Sequence, residues 1–198
     1  EAQGRAELEA NAARQTTDFM VSLFEVSDPG ESRGNSITAR EVLDRGVERI
    51  ASAEFTKPVV KSRLLGTMGR VYAGLGLFPR ARELLGQSEF LLVTPEGSSE
   101  EGAQRSDAQL ELADLLYDMG DYGEAQKVLG RIEVSGTAAP QDALRRARLD
   151  NVRGDIAFQT GEEAAAKTAY EGALKNLDLP GGDNADQPRP RRNRDGQA

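Results

Sequence analysis

"LADLLYDMGDYGEAQKVL", Leu112–Leu129, is a stretch whose frame recurs twice more in the chain. "MGRVYAGLGLFPRARELL" (Met68–Leu85) and "RGDIAFQTGEEAAAKTAY" (Arg153–Tyr170) superpose on it without a gap. Each has a small residue at its second position: Gly69, Ala113 and Gly154. Seven residues on comes a glycine (Gly76, Gly120, Gly161), five further an alanine (Ala81, Ala125, Ala166), and four beyond that a bulky residue (Leu85, Leu129, Tyr170). A helix hairpin explains this order. The glycine closes the first helix where a left-handed backbone costs it least. The alanine and the earlier small residue sit where the two helices cross closely, and the bulky side chain fills the remaining space.

The glycines are 44 and then 41 residues apart, and Gly34 lies 42 before Gly76 with Ala39 and Leu43 in the same frame. Self-similarity at such a period marks a repeat protein. Thr38-x-x-Glu41, Asp121-x-x-Glu124 and Thr160-x-x-Glu163 offer capping boxes for second helices, and Ser98-x-x-Glu101 marks a first-helix start. Pro58 and Pro140 stand where first helices begin, since proline is tolerated in a first turn. The pattern predicts a long helix over about 2–27, a joint at 28–37, and helices near 38–53, 58–75, 78–92, 99–119, 121–134, 140–160 and 161–177. The expected organisation is an N-terminal helix and joint (1–34), helical repeats (35–177) and a disordered Gly/Pro/charge-rich tail (178–198). The expected fold is an all-α, right-handed α-solenoid of about four hairpins.

Composition narrows the chemistry. A 198-residue chain without Cys or His has no thiol nucleophile, zinc-thiolate site, Ser-His-Asp triad or HExxH helix. A net charge of −8 argues against nucleic acid, which is bound through Lys and Arg. No apolar run reaches membrane-spanning length, and no signal-peptide pattern is present. The chain starts with Glu, and an excerpt from a longer protein is one expectation.

"DPGESRGNS" (28–36) invites a phosphate-loop reading, but Gly30 and Gly34 have three residues between them rather than four, and Asn35 stands where the lysine belongs. A turn followed by the Thr38 cap accounts for it better. "DMGDYGEA" (118–125) lacks the alternating carboxylates of a calcium loop. Arg189, Arg191, Arg192 and Arg194 are diluted by Asp183, Asp186 and Asp195 and read as a solvated linker. No cofactor or metal is expected.

The Gly/Ala spacing, with Tyr72, Phe78, Tyr122 and Tyr170 at bulky positions, resembles tetratricopeptide repeats of the longer, roughly 42-residue kind. The family's early aromatic is replaced by Leu65, Gln109 and Asp150, and Arg153 stands in place of an apolar residue. A narrower block, "DFMVSLFEVSDPGESRGNSITAREVLDRGVERI" with "GRVYAGLGLFPRARELL", resembles the repeat region that follows the kinase domain in some bacterial membrane-associated serine/threonine kinases. That resemblance implies a docking or sensing module, in the bacterial cytoplasm or on the far side of the membrane if attached to a membrane-spanning kinase. It implies no kinase chemistry here, because the kinase motifs are missing from these residues.

In stacked hairpins the first helices line a concave face. Register places Arg63 and Arg70 there from one pair, Asp107, Leu110, Asp114, Tyr117 and Asp118 from the next, and Arg148, Asn151, Asp155, Phe158 and Gln159 from the last. The resemblance also implies that a clamp for acidic C-termini needs cations and Asn at positions where Asp114 and Asp155 stand. A protein or peptide partner with basic and apolar residues suits Asp107, Asp114, Tyr117 and Asp118 better. The alternative is self-association that clusters the parent protein, through the N-terminal helix or the end of the last repeat. A third class, a hydrolase using paired carboxylates, requires an apolar pocket that the register does not supply.

Overall fold

Each hairpin turns on one residue with a backbone most side chains avoid. In the computed structural model, which describes residues 38–53, 55, 58–93, 99–133 and 140–177, positive φ occurs at Gly76 (74°), Gly120 (76°) and Gly161 (81°). These are the three repeat glycines. Around each, two backbone bonds form a Schellman motif. Gly76 N–H reaches Ala73 O while Leu77 N–H reaches Tyr72 O, both at 2.9 Å. Gly120 and Asp121 do the same to Tyr117 and Leu116, and Gly161 and Glu162 to Phe158 and Ala157. The residue after each glycine then begins the next helix: Leu77, Asp121 and Glu162 accept its first backbone bond, from Ala81, Ala125 and Ala166.

Seven helices result among the described residues, with no strand: α1 (Ala39–Ser52), α2 (Pro58–Gly74), α3 (Phe78–Phe90), α4 (Ser99–Asp118), α5 (Tyr122–Leu129), α6 (Pro140–Gln159) and α7 (Glu163–Leu177). The all-α helical-repeat architecture read from the sequence is the one observed. The helix at 2–27, the joint at 28–37, the Ser98 cap and the tail at 178–198 lie outside the described residues.

Two boundaries differ from expectation. α5 stops at Leu129 rather than continuing to 134, because Gly130 N–H bonds Gln126 O and the following N–H groups of Arg131 and Ile132 tighten onto Val128 and Leu129. Thr160 does not cap α7. It precedes the turn glycine, and its hydroxyl donates back to Ile156 O (3.0 Å) at the end of α6. The Thr38 box does form: Thr38 N–H donates to Glu41 Oε2 (2.7 Å) and Glu41 N–H to Thr38 Oγ1 (3.2 Å). Asp121 caps α5 through Glu124 N–H at 3.4 Å.

The chain forms two compact units, Glu1–Leu115 and Leu116–Ala198, with the boundary inside α4. In the first, α2 and α3 cross at Gly69, where an added Cβ would lie 2.7 Å from Leu85 Cγ. Further along, the buried Ser62 and Ser88 hydroxyls lie 2.9 Å apart, and each donates to the other's carbonyl. α1 is tied to α2 by Tyr72 Oη donating to Asp44 Oδ1 (2.5 Å) and by Lys61 Nζ donating to Ala51 O (3.1 Å). Burial, and then the bond to Asp44, push the Tyr72 phenol up to about 12.

In the second unit, α6 and α7 cross at Gly154, where a Cβ would meet the Tyr170 ring at 2.6 Å. The positions of Ser62 and Ser88 are taken by Ala147 and Ala173, both buried. Asp150 stands where Leu65 is buried in the first unit. Asp150 Oδ2 accepts from Asn176 Nδ2 (3.0 Å), whose Oδ1 accepts from Arg146 Nε (3.3 Å). Burial raises the Asp150 carboxyl above its ordinary range, against the pull of Arg153 and Asn176.

Candidate functional site

α4 carries carboxylates at Asp107, Glu111, Asp114 and Asp118. Spacings of four, three and four residues keep them on one face of the helix. The stripe grades from half-buried at Asp107 and Asp114 to exposed at Asp118, and no basic residue is interposed on it. Glu111 is the member that register counting missed. It takes Arg70 in an ion pair, Arg70 Nη1 to Glu111 Oε1, with the Glu111 side chain only 11% exposed. Arg63 Nε likewise donates to Gln104 Oε1 at 3.4 Å. Both cations that α2 contributes to the face are therefore held by α4.

The signal for these pairs is a separation of 41 residues, against 44 between the corresponding glycines. Each arginine meets a residue about one helical turn N-terminal to its own repeat equivalent. Side chains tilt toward the N-terminus of their helix, so equal register is not where long side chains meet.

Leu110 has no accessible surface and belongs to the core, not to an open face. The other pairs have Gly66 and Asn151 at this position; an aliphatic side chain there gains more by packing inward than by facing water.

In the second unit, the Tyr117 and Tyr122 rings sit 5.7 Å apart at 47°, a tilted pair that braces the end of α4 on the start of α5. Gln159 Nε2 donates to Tyr117 Oη at 3.2 Å. On α6, Asp155 accepts from Tyr170 Oη (2.8 Å) and from Asn151 Nδ2 (3.4 Å). Burial, reinforced by the bond to Asp155, raises the Tyr170 phenol well above its ordinary value. Arg148 is half-buried beside this cluster in sequence, and Phe158 is 60% exposed.

The arrangement is suited to recognition. Among the described residues no group of His, Cys, Asp or Glu side chains could hold a metal ion, and no helix is long and apolar enough to cross a membrane. Searches among curated proteins and among solved structures found no match. The family model of the tetratricopeptide repeat-like domain matches residues 88–185. Three Schellman turns in register and small residues at two helix crossings agree with that match, and residues 88–185 are similar to the tetratricopeptide repeat-like family.

Proposed function

We propose that this chain is a non-catalytic protein-interaction module that docks a peptide segment with basic and apolar residues along α4. The carboxylate stripe at Asp107, Glu111, Asp114 and Asp118, flanked by Tyr117, is the observation that carries the reading. A basic segment laid along it gains Coulomb attraction and steering, while Tyr117 offers an amphipathic surface for an apolar side chain. Arg63 and Arg70 reach α4 through Gln104 and Glu111. The kinase resemblance extends the proposal: the parent protein is a bacterial signalling serine/threonine kinase, with this segment as its docking or sensing part.

A labelled peptide of alternating Lys and Leu, titrated by fluorescence anisotropy, tests the α4 reading. Asp114→Lys with Asp118→Lys weakens binding about tenfold or more, as for reversing two charge contacts, and leaves the helical circular dichroism signal intact. Unchanged affinity removes the stripe from the account.

A further inference from the structure

Eleven residues before each turn glycine stands a side chain that the fold turns inward: Leu65, Gln109 and Asp150. Leu65 is 3% and Gln109 1% exposed, and the Gln109 amide donates to Glu89 Oε1 at 2.9 Å. Asp150 is the one that ionises, and its side chain is 24% exposed. Its carboxylate lies against the backbone of α7, where a Cβ on Gly172 would come within 3.1 Å of Oδ2. Asn176 Nδ2 donates to that same oxygen and also to Gly172 O, both at 3.0 Å. Arg153 Nη1 stands 3.6 Å from Oδ1, and Arg146 reaches the cluster through the Asn176 amide, Nε to Oδ1 at 3.3 Å.

A charge at this place loses water on its α7 side and regains little. Arg153 is 47% exposed, so solvent screens its attraction. The charged residues of α7 (Glu163, Lys167, Glu171 and Lys175) are all exposed, and the two of α5, Glu124 and Lys127, pair with each other at 2.6 Å. The cations that pull on the carboxyl, Arg153 and then Arg146, both stand on α6 itself. Burial outweighs them and holds the carboxyl above its ordinary 3.8. We propose that Asp150 is a proton-operated latch on the α6–α7 hairpin: ionised, it loosens the crossing, and protonated, it lets the two helices hold more firmly. A group that keeps its proton longer in the fold adds stability below its ordinary value, and the gain is lost as pH rises through the folded one. Acidification therefore firms the hairpin that carries Arg148, Asn151, Asp155 and Phe158, while neutral pH leaves it easier to open. Leu65, which does not ionise, gives the α2–α3 hairpin no such response at the same place. The latch follows from the fold and stands apart from the α4 docking reading.

Hydrogen exchange on the full chain, corrected for the intrinsic pH dependence of amide exchange, reads the latch directly. Near neutral pH, Asp150→Asn and Asp150→Leu should each raise protection in α6 and α7 above that of the unsubstituted chain. The gap should close as pH falls toward 3.8, where the native carboxyl is itself largely protonated. Protection in α2 and α3 should be the same in all three proteins. Leucine reproduces the first-unit residue and leaves Asn176 its bond to Gly172 O, so it covers a failure of the asparagine variant to fold. The Asp150 carboxyl carbon resonance, titrated in the unsubstituted chain, needs no variant, and its midpoint is expected above 3.8. Three results overturn the proposal. One is a midpoint at or below 3.8. Another is a gap in protection that does not change with pH. The third is lower protection in the variants near neutral pH, which would make the Arg153 pair, and not burial, the dominant contribution.

Discussion

Tyr72 and Tyr170 each commit a phenol to an aspartate, and each does so at the edge of a helix crossing. The Tyr72 phenol has an ordinary value of 10.0 and stands at about 12 in the fold, so the folded chain holds that proton longer than the unfolded one. The stabilisation is therefore complete below pH 10 and is lost as pH rises toward 12. Urea midpoints measured across that window should fall more steeply for the unsubstituted chain than for Tyr72→Phe; parallel curves would show that the hydroxyl does not couple to folding. Burial and bonding explain why such residues are hard to assign from sequence. Tyr72 was legible as a bulky repeat position, but its partner Asp44 belongs to a helix 28 residues away and carries no sequence signal of its own.

At the scale of the helix, the two threonines test what a cap is. Thr38→Ala removes a reciprocal capping box and should cost about 1 kcal/mol. Thr160→Ala, although the sequence gives it the same Thr-x-x-Glu spacing, should cost less than about 0.5 kcal/mol, because its hydroxyl donates to carbonyls of α6 and to the Glu162 carboxylate and caps no N–H of α7. Thermal or urea denaturation of both variants decides it, and equal losses would refute the assignment of Glu162 as the start of α7. Helix existence was legible because glycine, alanine and bulky residues recur in one frame, and the starts at Pro58 and Pro140 and the turns at Gly76, Gly120 and Gly161 came directly from it. Motif spacing alone was weaker evidence. Thr160-x-x-Glu163 satisfies the capping pattern, yet the Schellman turn at Gly161 had already fixed Glu162 as the boundary residue. The candidate face was legible in part for a similar reason. Register named Asp107, Asp114 and Asp118 on α4 but missed Glu111, treated Leu110 as open and paired no arginine, because burial and the tilt of long side chains are not functions of register.

Across the whole molecule, the two units give separate readouts. Gly69→Ala places a methyl 2.7 Å from Leu85, and Gly154→Ala places one 2.6 Å from the Tyr170 ring. Overpacking of this kind costs about 1–3 kcal/mol. In repeat chains the loss is felt first by the repeat that carries it and its neighbour. Hydrogen exchange should therefore report loss of protection in α2 and α3 for Gly69→Ala, and in α6 and α7 for Gly154→Ala. Uniform loss in both units from either substitution would mean that the chain unfolds as one block.

The doubled duty of Leu77, Asp121 and Glu162, each ending one helix and starting the next, has a consequence for how this chain can change length. The hairpin contains no spare residue. One residue inserted after Gly120 would turn α5 by about 100° and carry Ala125 off its crossing face. From Gly69 to Leu85, Ala113 to Leu129 and Gly154 to Tyr170 the count is 16 each time, while from Leu85 to Ala113 it is 28 and from Leu129 to Gly154 it is 25. All of the irregularity falls between hairpins. An insertion scan with a solubility reporter should find additions tolerated around 94–98 and 134–139 and rejected at every Gly turn, which makes the inter-hairpin segments the places to graft a new loop.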